Sequence, residues 1–172
     1  MNVILVGYRG TGKSAVARAL ADRLALKRVC LDEEIERAAG KSIPALVADV
    51  GWPGFRDLEQ EIVGKFAARD GQVIDCGGGV IEREANIETL RAAGTVIWLT
   101  ASVPTIIARI QTDDQRPSLT GNLSFTDEVQ QVLARRIPLY RRIAHHEIVN
   151  DGRTVDQVVD EICQRIAAEG RR

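Results

Sequence analysis

Short apolar runs alternate with amphipathic segments along this chain. Five runs have the length and composition of buried strands, and they cover residues 2–6, 28–31, 72–75, 95–99 and 147–149. Three segments place apolar residues at helical spacing, and they cover residues 13–24, 55–68 and 155–168, the last with Thr154 as its N-cap. Buried strands separated by helices are typical of a parallel sheet covered on both faces. The pattern therefore predicts a three-layer α/β/α fold with a five-stranded parallel sheet.

The segment 112–124 does not follow this alternation. It is polar, contains glycine and proline, and has neither helical nor strand periodicity. A loop of this length in a compact domain is more often a lid than a passive connection. We therefore expect a mobile lid over residues 112–124, within a single domain that covers residues 1–172.

Composition restricts the partners and the compartment. With 45% hydrophobic and 27% charged residues and a formal net charge of -1, the chain has no general attraction to nucleic acid or anionic membranes. The first apolar run is too short for a signal peptide, and no run approaches a membrane span. The three cysteines are odd in number and lack a paired metal-ligand spacing, which favours reduced thiols. We expect a cytoplasmic protein without nucleic-acid or membrane partners.

Residues 7–14, directly after the first predicted strand, read GYRGTGKS, which is a complete P-loop. Its glycines let the backbone N–H groups surround an oxyanion. Lys13 adds a positive charge, Ser14 supplies a hydroxyl suited to Mg²⁺, and the helix that starts here directs its positive end at the same phosphates. The motif predicts binding of a nucleoside triphosphate.

Four further clusters of polar residues fall near the predicted carboxyl ends of strands. They are Asp32, the sequence FRDLE at 55–59, the glycines 77–79, and the sequence RRIPLY at 135–140. Parallel α/β sheets bind ligands at this edge. A kinase needs a second site there to align an acceptor hydroxyl with the terminal phosphate.

Together with the P-loop, these clusters resemble shikimate kinase, a small member of the nucleoside monophosphate kinase-like P-loop proteins. The resemblance runs along nearly the whole chain and includes an aspartate before EIE, FRxxE, GGG, an Arg-Pro pair in the lid and RxPLY. It implies a P-loop kinase that is a monomer, uses ATP and Mg²⁺, and has shikimate as its small-molecule partner. The implied reaction transfers the terminal phosphate of ATP to the 3-hydroxyl of shikimate, in chorismate and aromatic amino acid biosynthesis.

The resemblance also implies roles for individual residues. The implied catalytic residues are Lys13, Asp32 and Arg116, where Asp32 positions the acceptor hydroxyl and Arg116 closes over the phosphates. The implied shikimate contacts are Asp32, Arg56, Glu59, Gly77, Gly78, Gly79 and Arg136, where the Arg56 and Arg136 side chains bind the carboxylate. The implied nucleotide contacts are Gly10, Thr11, Gly12, Lys13, Ser14, Ala15, Arg109, Arg116 and Arg153, with Arg109 and Arg153 beside the adenine.

Each of these residues also has a simpler interpretation. Asp32 could be a helix N-cap, and Arg56 with Glu59 could be a solvated helical ion pair. The glycines 77–79 could form a turn that requires positive φ. The Arg109 and Arg153 side chains could be surface charges.

The chain departs from the family pattern at Cys30. Relatives commonly carry Asp-x-Asp after the second strand, where this chain has Cys30-Leu31-Asp32. A thiol is a poor partner for Mg²⁺, which prefers oxygen. We therefore interpret Asp75, at the end of the third strand, as the acid that supports Mg²⁺ together with Ser14, although Asp75 could instead cap the glycine turn. The sequence GWPG at 51–54 also differs, and Trp52 could line the pocket or belong to the core.

Three alternative functions compete with this interpretation. A kinase of another small hydroxy acid, such as gluconate, would use the same P-loop, but FRxxE and GGG argue against it. A nucleotide-dependent switch is the second, although the chain has no Asn-Lys-x-Asp element. A non-catalytic relative is the third, and the intact Lys13, Asp32 and Arg116 argue against it.

Overall fold

The computed structural model describes residues 1–110 and 125–169. Its strands are β1 (Asn2–Val6), β2 (Lys27–Cys30), β3 (Gln72–Asp75), β4 (Gly94–Thr100) and β5 (His146–Val149). Its helices are α1 (Lys13–Leu24), α2 (Leu31–Ala39), α3 (Ile43–Ala67), α4 (Glu84–Ala93), α5 (Val103–Ile110), α6 (Phe125–Ile143) and α7 (Val155–Glu169), with a 3₁₀ turn at Val80–Glu82. The lid expected over 112–124, including Arg116, lies outside the described residues.

The strands form one parallel sheet in the order β2-β3-β1-β4-β5. The five-stranded parallel sheet predicted from the sequence is thereby confirmed. β2 begins one residue before its predicted start and ends at Cys30, because Leu31 already starts α2. The first strand of the sequence lies in the centre of the sheet, where Val3 is opposite Val73 of β3 and Thr95 of β4.

Alternate residues of β1 point to opposite faces of the sheet and enter two separate cores. Ile4 and Val6 pack with side chains from α2, α3, α4 and α6, whereas Val3 and Leu5 pack with side chains from α1 and α7. The helices therefore cover both faces, as the three-layer prediction requires. Because α1 follows β1 on one face and α4 follows β3 on the other, the two neighbouring strands open a crevice at their carboxyl ends.

The helix expected to begin at residue 55 is the second half of a longer element. α3 begins at Ile43, with Ser42 as its N-cap, and is interrupted at Gly51, where φ is 70° and ψ is 174°. This conformation favours glycine, and Pro53 follows where a new first helical turn tolerates it. The sequence GWPG therefore kinks α3 rather than ending it, and Trp52 starts the segment that carries FRDLE.

A second proline lies inside α6, at Pro138. This helix carries Arg136, and the hydroxyl of Tyr140 one turn later donates a hydrogen bond to the carbonyl of Gly78. The Tyr140 ring also stacks on Trp98 of β4, with ring centroids 5.7 Å apart. These contacts hold α6 against the glycine turn that follows β3. None of the helices described here is long and apolar enough to cross a membrane.

Candidate active site

A cavity of about 650 Å³ opens at the carboxyl ends of β1, β2 and β3. Its wall brings together most of the residues singled out in the sequence. They are Gly10, Gly12, Lys13, Ser14, Ala15, Asp32, Arg56, Glu59, Asp75, Gly77, Gly78, Gly79, Arg109 and Arg136. Residues of the predicted phosphate loop and of the predicted acceptor site therefore share one cavity.

The P-loop connects β1 to α1 with a backbone that only glycine adopts readily. Gly10 and Gly12 have φ of 79° and 89°, in the left-handed region. α1 begins at Lys13 with no acidic residue in its first turn, so its N-terminal end favours an anion. Lys13 is nearly buried and donates to the carbonyl of Tyr8 at 3.0 Å, and the Asn150 amide donates to the Thr11 carbonyl at 2.7 Å. The loop is thus held from both sides.

The three glycines at 77–79 have no φ in the left-handed region, so the interpretation as a turn that requires positive φ is wrong. The first and third leave space for charged side chains instead. A Cβ on the first would lie 2.6 Å from Oδ1 of Asp32, and a Cβ on the third 2.0 Å from Nη2 of Arg56. A Cβ on the middle glycine would lie 3.7 Å from Nη1 of Arg136. Three side chains that are distant in the sequence therefore meet at one strip of bare backbone.

Asp32 lies in the first turn of α2, and its N-cap interpretation is wrong because Cys30 occupies that position. The second strand ends one residue before α2 begins, so there is no connecting loop between them. This tight connection aims the Asp32 carboxylate at Gly77, which lies across from it at the end of the neighbouring strand β3.

Arg56 and Glu59 form the ion pair that their spacing of three residues predicts, with 2.6 Å between Nη1 and Oε2. The pair is buried rather than solvated, since Glu59 is only 1% exposed. Burial raises the pKa of Glu59, against the opposing charge of Arg56. The Arg56 guanidinium also lies over the ring of Phe55 at 5.0 Å and the ring of Trp52 at 5.6 Å. Trp52 lines the cavity and also packs against the hydrophobic core, so it serves in both of the ways that the sequence left open.

Glu82 was missed in the sequence although it contacts both arginines. Arg136 donates to Oε1 of Glu82 from Nε at 2.9 Å and from Nη2 at 2.6 Å, and Nη2 of Arg56 lies 3.5 Å from Oε2. Partial burial raises the pKa of Glu82, but the charges of Arg136, Arg56 and Arg135 outweigh it, and the pKa is lowered. Charge balance could have indicated such a residue. Two neighbouring buried arginines need acidic partners within the protein, and Glu59 alone supplies only one.

Asp75 ends β3 directly opposite Cys30 of β2, and it is buried beside Ser14. Ser14 lies close enough to lower the pKa of this carboxylate. In the described part of the chain, Oδ2 of Asp75 accepts no hydrogen bond, and the nearest cation is Nη2 of Arg28 at 3.8 Å. Burial raises the pKa of Asp75, while the charge of Lys13 and the Ser14 side chain oppose it. Within residues 1–110 and 125–169, no group of three or more His, Cys, Asp or Glu residues could hold a metal ion.

The other residues that were predicted to contact the nucleotide lie in different places. Arg109 lines the cavity and donates to the Gly10 carbonyl at 3.2 Å. Arg153 lies in a separate surface groove, where it pairs with Glu161 at 2.6 Å. Its contact with adenine stays a prediction. Thr11 is buried under the loop and donates to the Tyr8 carbonyl at 2.7 Å. Arg116 lies outside the described residues.

The family model and the sequence relatives described here agree on one family. The family model for shikimate kinase matches residues 9–167. The chain is 42% identical to the shikimate kinase of Rhodopirellula baltica over 94% of its own length and 88% of the relative. It is 41% identical to the shikimate kinase of Symbiobacterium thermophilum over 100% of its length and 99% of the relative. A shikimate kinase from Acinetobacter baumannii, solved in complex with shikimate, superposes with a TM-score of 0.92 at 32% identity, covering 98% of this chain and 93% of that one.

The surroundings of Cys30 predict a slowly reacting thiol. Burial, together with the charges of Asp75, Asp32 and Glu33, raises the pKa of this thiol to about 11. The reactive thiolate is therefore scarce near neutral pH. We expect iodoacetamide to alkylate Cys30 in the folded chain at pH 8 more than about tenfold slower than in the unfolded chain, where the thiol has its ordinary pKa of about 8.5. Peptide mass spectrometry after timed alkylation measures both rates, and equal rates would contradict the prediction.

Proposed function

The chain belongs to the shikimate kinase family, and on this premise we propose that it transfers the terminal phosphoryl group of ATP to the 3-hydroxyl of shikimate. The products are ADP and shikimate 3-phosphate, an intermediate on the route to chorismate and the aromatic amino acids. The observation that carries the proposal is the convergence of Asp32, Arg56 and Arg136 on the glycine turn, in the same cavity as the P-loop.

The proposed acceptor site matches the chemistry of shikimate, a ring with one carboxylate and three hydroxyls. Arg56 and Arg136 supply two guanidinium groups near Gly78 and Gly79, and a planar guanidinium matches the geometry of a carboxylate. Asp32 lies at the other end of the turn, beside Gly77, and can accept a hydrogen bond from a hydroxyl. The ring is thereby oriented with its acid at the arginines and its reacting hydroxyl at Asp32.

In the proposed reaction, the oxygen of the 3-hydroxyl forms a bond to the terminal phosphorus of ATP while the bond from that phosphorus to the ADP oxygen breaks. The hydroxyl proton passes to the Asp32 carboxylate or to an oxygen of the transferred phosphoryl group. The transition state of such transfers is loose, so alignment and charge neutralisation dominate the rate. Lys13 and the N–H groups of the P-loop neutralise charge on the phosphates, and Arg116 is proposed to add a further cation.

The residues at Ser14 and Asp75 fit Mg²⁺, which prefers oxygen ligands and keeps several waters. The fit is supported by the buried Oδ2 of Asp75, which accepts no hydrogen bond from the described residues and lies beside the Ser14 hydroxyl. We propose that Ser14 ligates the ion and that Asp75 holds one of its waters. When bound, Mg²⁺ neutralises charge on the phosphates of ATP. The Cys30 thiol, protonated near neutral pH, contributes no charge to this site.

The alternatives from the sequence are less well supported. A nucleotide-dependent switch does not account for two arginines and an aspartate around one glycine turn. A gluconate kinase would use such a site, but the family model and the sequence relatives favour shikimate as the acceptor. The intact P-loop and the shared cavity argue equally against a non-catalytic relative.

A coupled assay of ADP release tests the reaction itself. Shikimate, quinate and gluconate are offered separately to the purified chain with ATP and Mg²⁺, and we expect rapid ADP release with shikimate and none above background with gluconate. Release that does not depend on any acceptor would instead favour a switch. A Lys13→Met variant, which removes the P-loop cation, is the control for contaminating kinase activity.

A Mg²⁺ titration tests the proposed role of Asp75. Replacement by the nearly isosteric Asp75→Asn removes the charge that orients a metal-bound water, and such changes typically weaken metal affinity about 10- to 100-fold. We expect the Mg²⁺ concentration for half-maximal activity to rise by that factor. Asp70→Asn is the control, because Asp70 precedes the opposite end of β3, away from the cavity, and is 78% exposed. A titration of Asp75→Asn that superposes on the wild type would contradict the role.

We also propose that residues 1–172 form one domain and that the enzyme is a monomer in the cytoplasm. The family resemblance favours a monomer, and the three cysteines are all free thiols, as a reducing compartment favours. Sedimentation equilibrium should give the chain mass of 18.8 kDa. A concentration-independent mass of twice that value would exclude the monomer.

A further inference from the structure

A single carboxylate joins the two arginines of the proposed acceptor site. Glu82 ends the 3₁₀ turn that directly follows the three glycines, and its N–H donates to the Gly79 carbonyl at 3.0 Å. This short connection places its side chain between α3, which carries Arg56, and α6, which carries Arg136. One carboxylate oxygen accepts two hydrogen bonds from Arg136, and the other lies 3.5 Å from Arg56.

Glu82 contacts these arginines from outside the cavity. Both arginines line the cavity, whereas Glu82 is not among the described residues of its wall. Arg136 uses its Nε and Nη2 edge for Glu82, while its Nη1 lies on the side of Gly78. Glu82 therefore holds the edge of the guanidinium formed by Nε and Nη2, which we call the outer edge. The remaining nitrogen, Nη1, lies on the side of the cavity.

The charges explain why such a contact is needed. Arg136 is only 4% exposed, and its hydrogen bonds in the described structure go to Glu82. A buried guanidinium without a partner is strongly unfavourable, and two neighbouring cations also repel each other. Glu59 compensates Arg56 in the same way, at 2.6 Å. Arg56 and Arg136 thus each have an acidic partner before any ligand arrives.

We propose that Glu82 is a positioning residue that fixes Arg136 and Arg56 as a preformed clamp for the carboxylate of the acceptor. It acts through the arginines and does not touch the substrate. This inference rests on the proposed function, because it assumes an acidic acceptor. Preformed partners bind more tightly, since binding then costs little side-chain ordering.

The test compares Glu82→Gln and Glu82→Ala with the wild type in steady-state kinetics. The glutamine keeps an oxygen that can accept from Arg136 but loses the negative charge, and the alanine loses both. Because hydrogen bonds to charged groups are strong, we expect the KM for shikimate to rise about 10- to 100-fold in Glu82→Ala and by an intermediate factor in Glu82→Gln. The KM for ATP should stay within about twofold, since Glu82 does not contact the P-loop side of the cavity.

A neighbouring carboxylate provides a matched control. Glu84 lies two residues later, pairs with Arg142 on the surface and is 57% exposed. Glu84→Gln removes the same charge from the same segment, and its KM for shikimate should remain within about twofold of the wild type.

A second measurement keeps the test decisive if catalysis is weak. Trp52 lines the cavity, so its fluorescence can report shikimate binding without ATP. The dissociation constant should rise for both Glu82 variants. The methyl ester of shikimate, which lacks the charge, should bind wild type and Glu82→Ala with more similar affinities than shikimate does.

Three results would overturn the inference. An unchanged KM for shikimate in both variants would make Glu82 dispensable for binding. A lower KM would make Glu82 a competitor of the substrate carboxylate. An equal loss in both KM values, with a lowered melting temperature, would indicate a general structural role. Failure of the proposed function is a separate outcome, because the wild type itself would then release no ADP with shikimate.

Discussion

The close approach of three charged side chains to the bare backbone at residues 77–79 is the constraint on which the rest of the site depends. A single methyl group on Gly79 would occupy the space of the Arg56 guanidinium, and one on Gly77 would meet the Asp32 carboxylate. The glycine turn follows β3, which lies directly beside the P-loop strand β1. Because β1 and β3 are neighbours, the glycine turn after β3 lies beside the P-loop after β1.

Charge balance is the second organising feature. Arg56 and Arg136 are largely withdrawn from water, and Glu59 and Glu82 compensate them at hydrogen-bond or ion-pair distance. Burial alone would disfavour every one of these charges. The pKa directions of the two acids differ because Glu59 is almost fully buried beside one arginine, whereas Glu82 is partly exposed among three. Each of the two arginines is thus paired with an acid, and both arginines line the cavity.

Local patterns in the sequence predicted much of this fold, and the rest depends on tertiary contacts. The strands and α1 could be found because continuous apolar runs and helical spacing are local properties, and the P-loop because its motif is contiguous. The sequence did not predict the kink at Gly51, because a glycine and a proline inside one helix resemble the end of that helix. Glu82 was missed because an acid after a turn has no local signature of its partners, which lie on α3 and α6. The order of the strands, which puts β3 beside β1, likewise follows from packing alone.

The hydrogen bond from Tyr140 to the Gly78 carbonyl has a consequence for the backbone. A trans peptide unit is planar, so its N–H points opposite to its C=O, and the Gly79 N–H is therefore directed away from the sixth helix. Burial raises the pKa of Tyr140 far above its ordinary value, and the phenol keeps its proton even in alkaline solution. The direction of this amide is consequently fixed by a phenol that stays protonated.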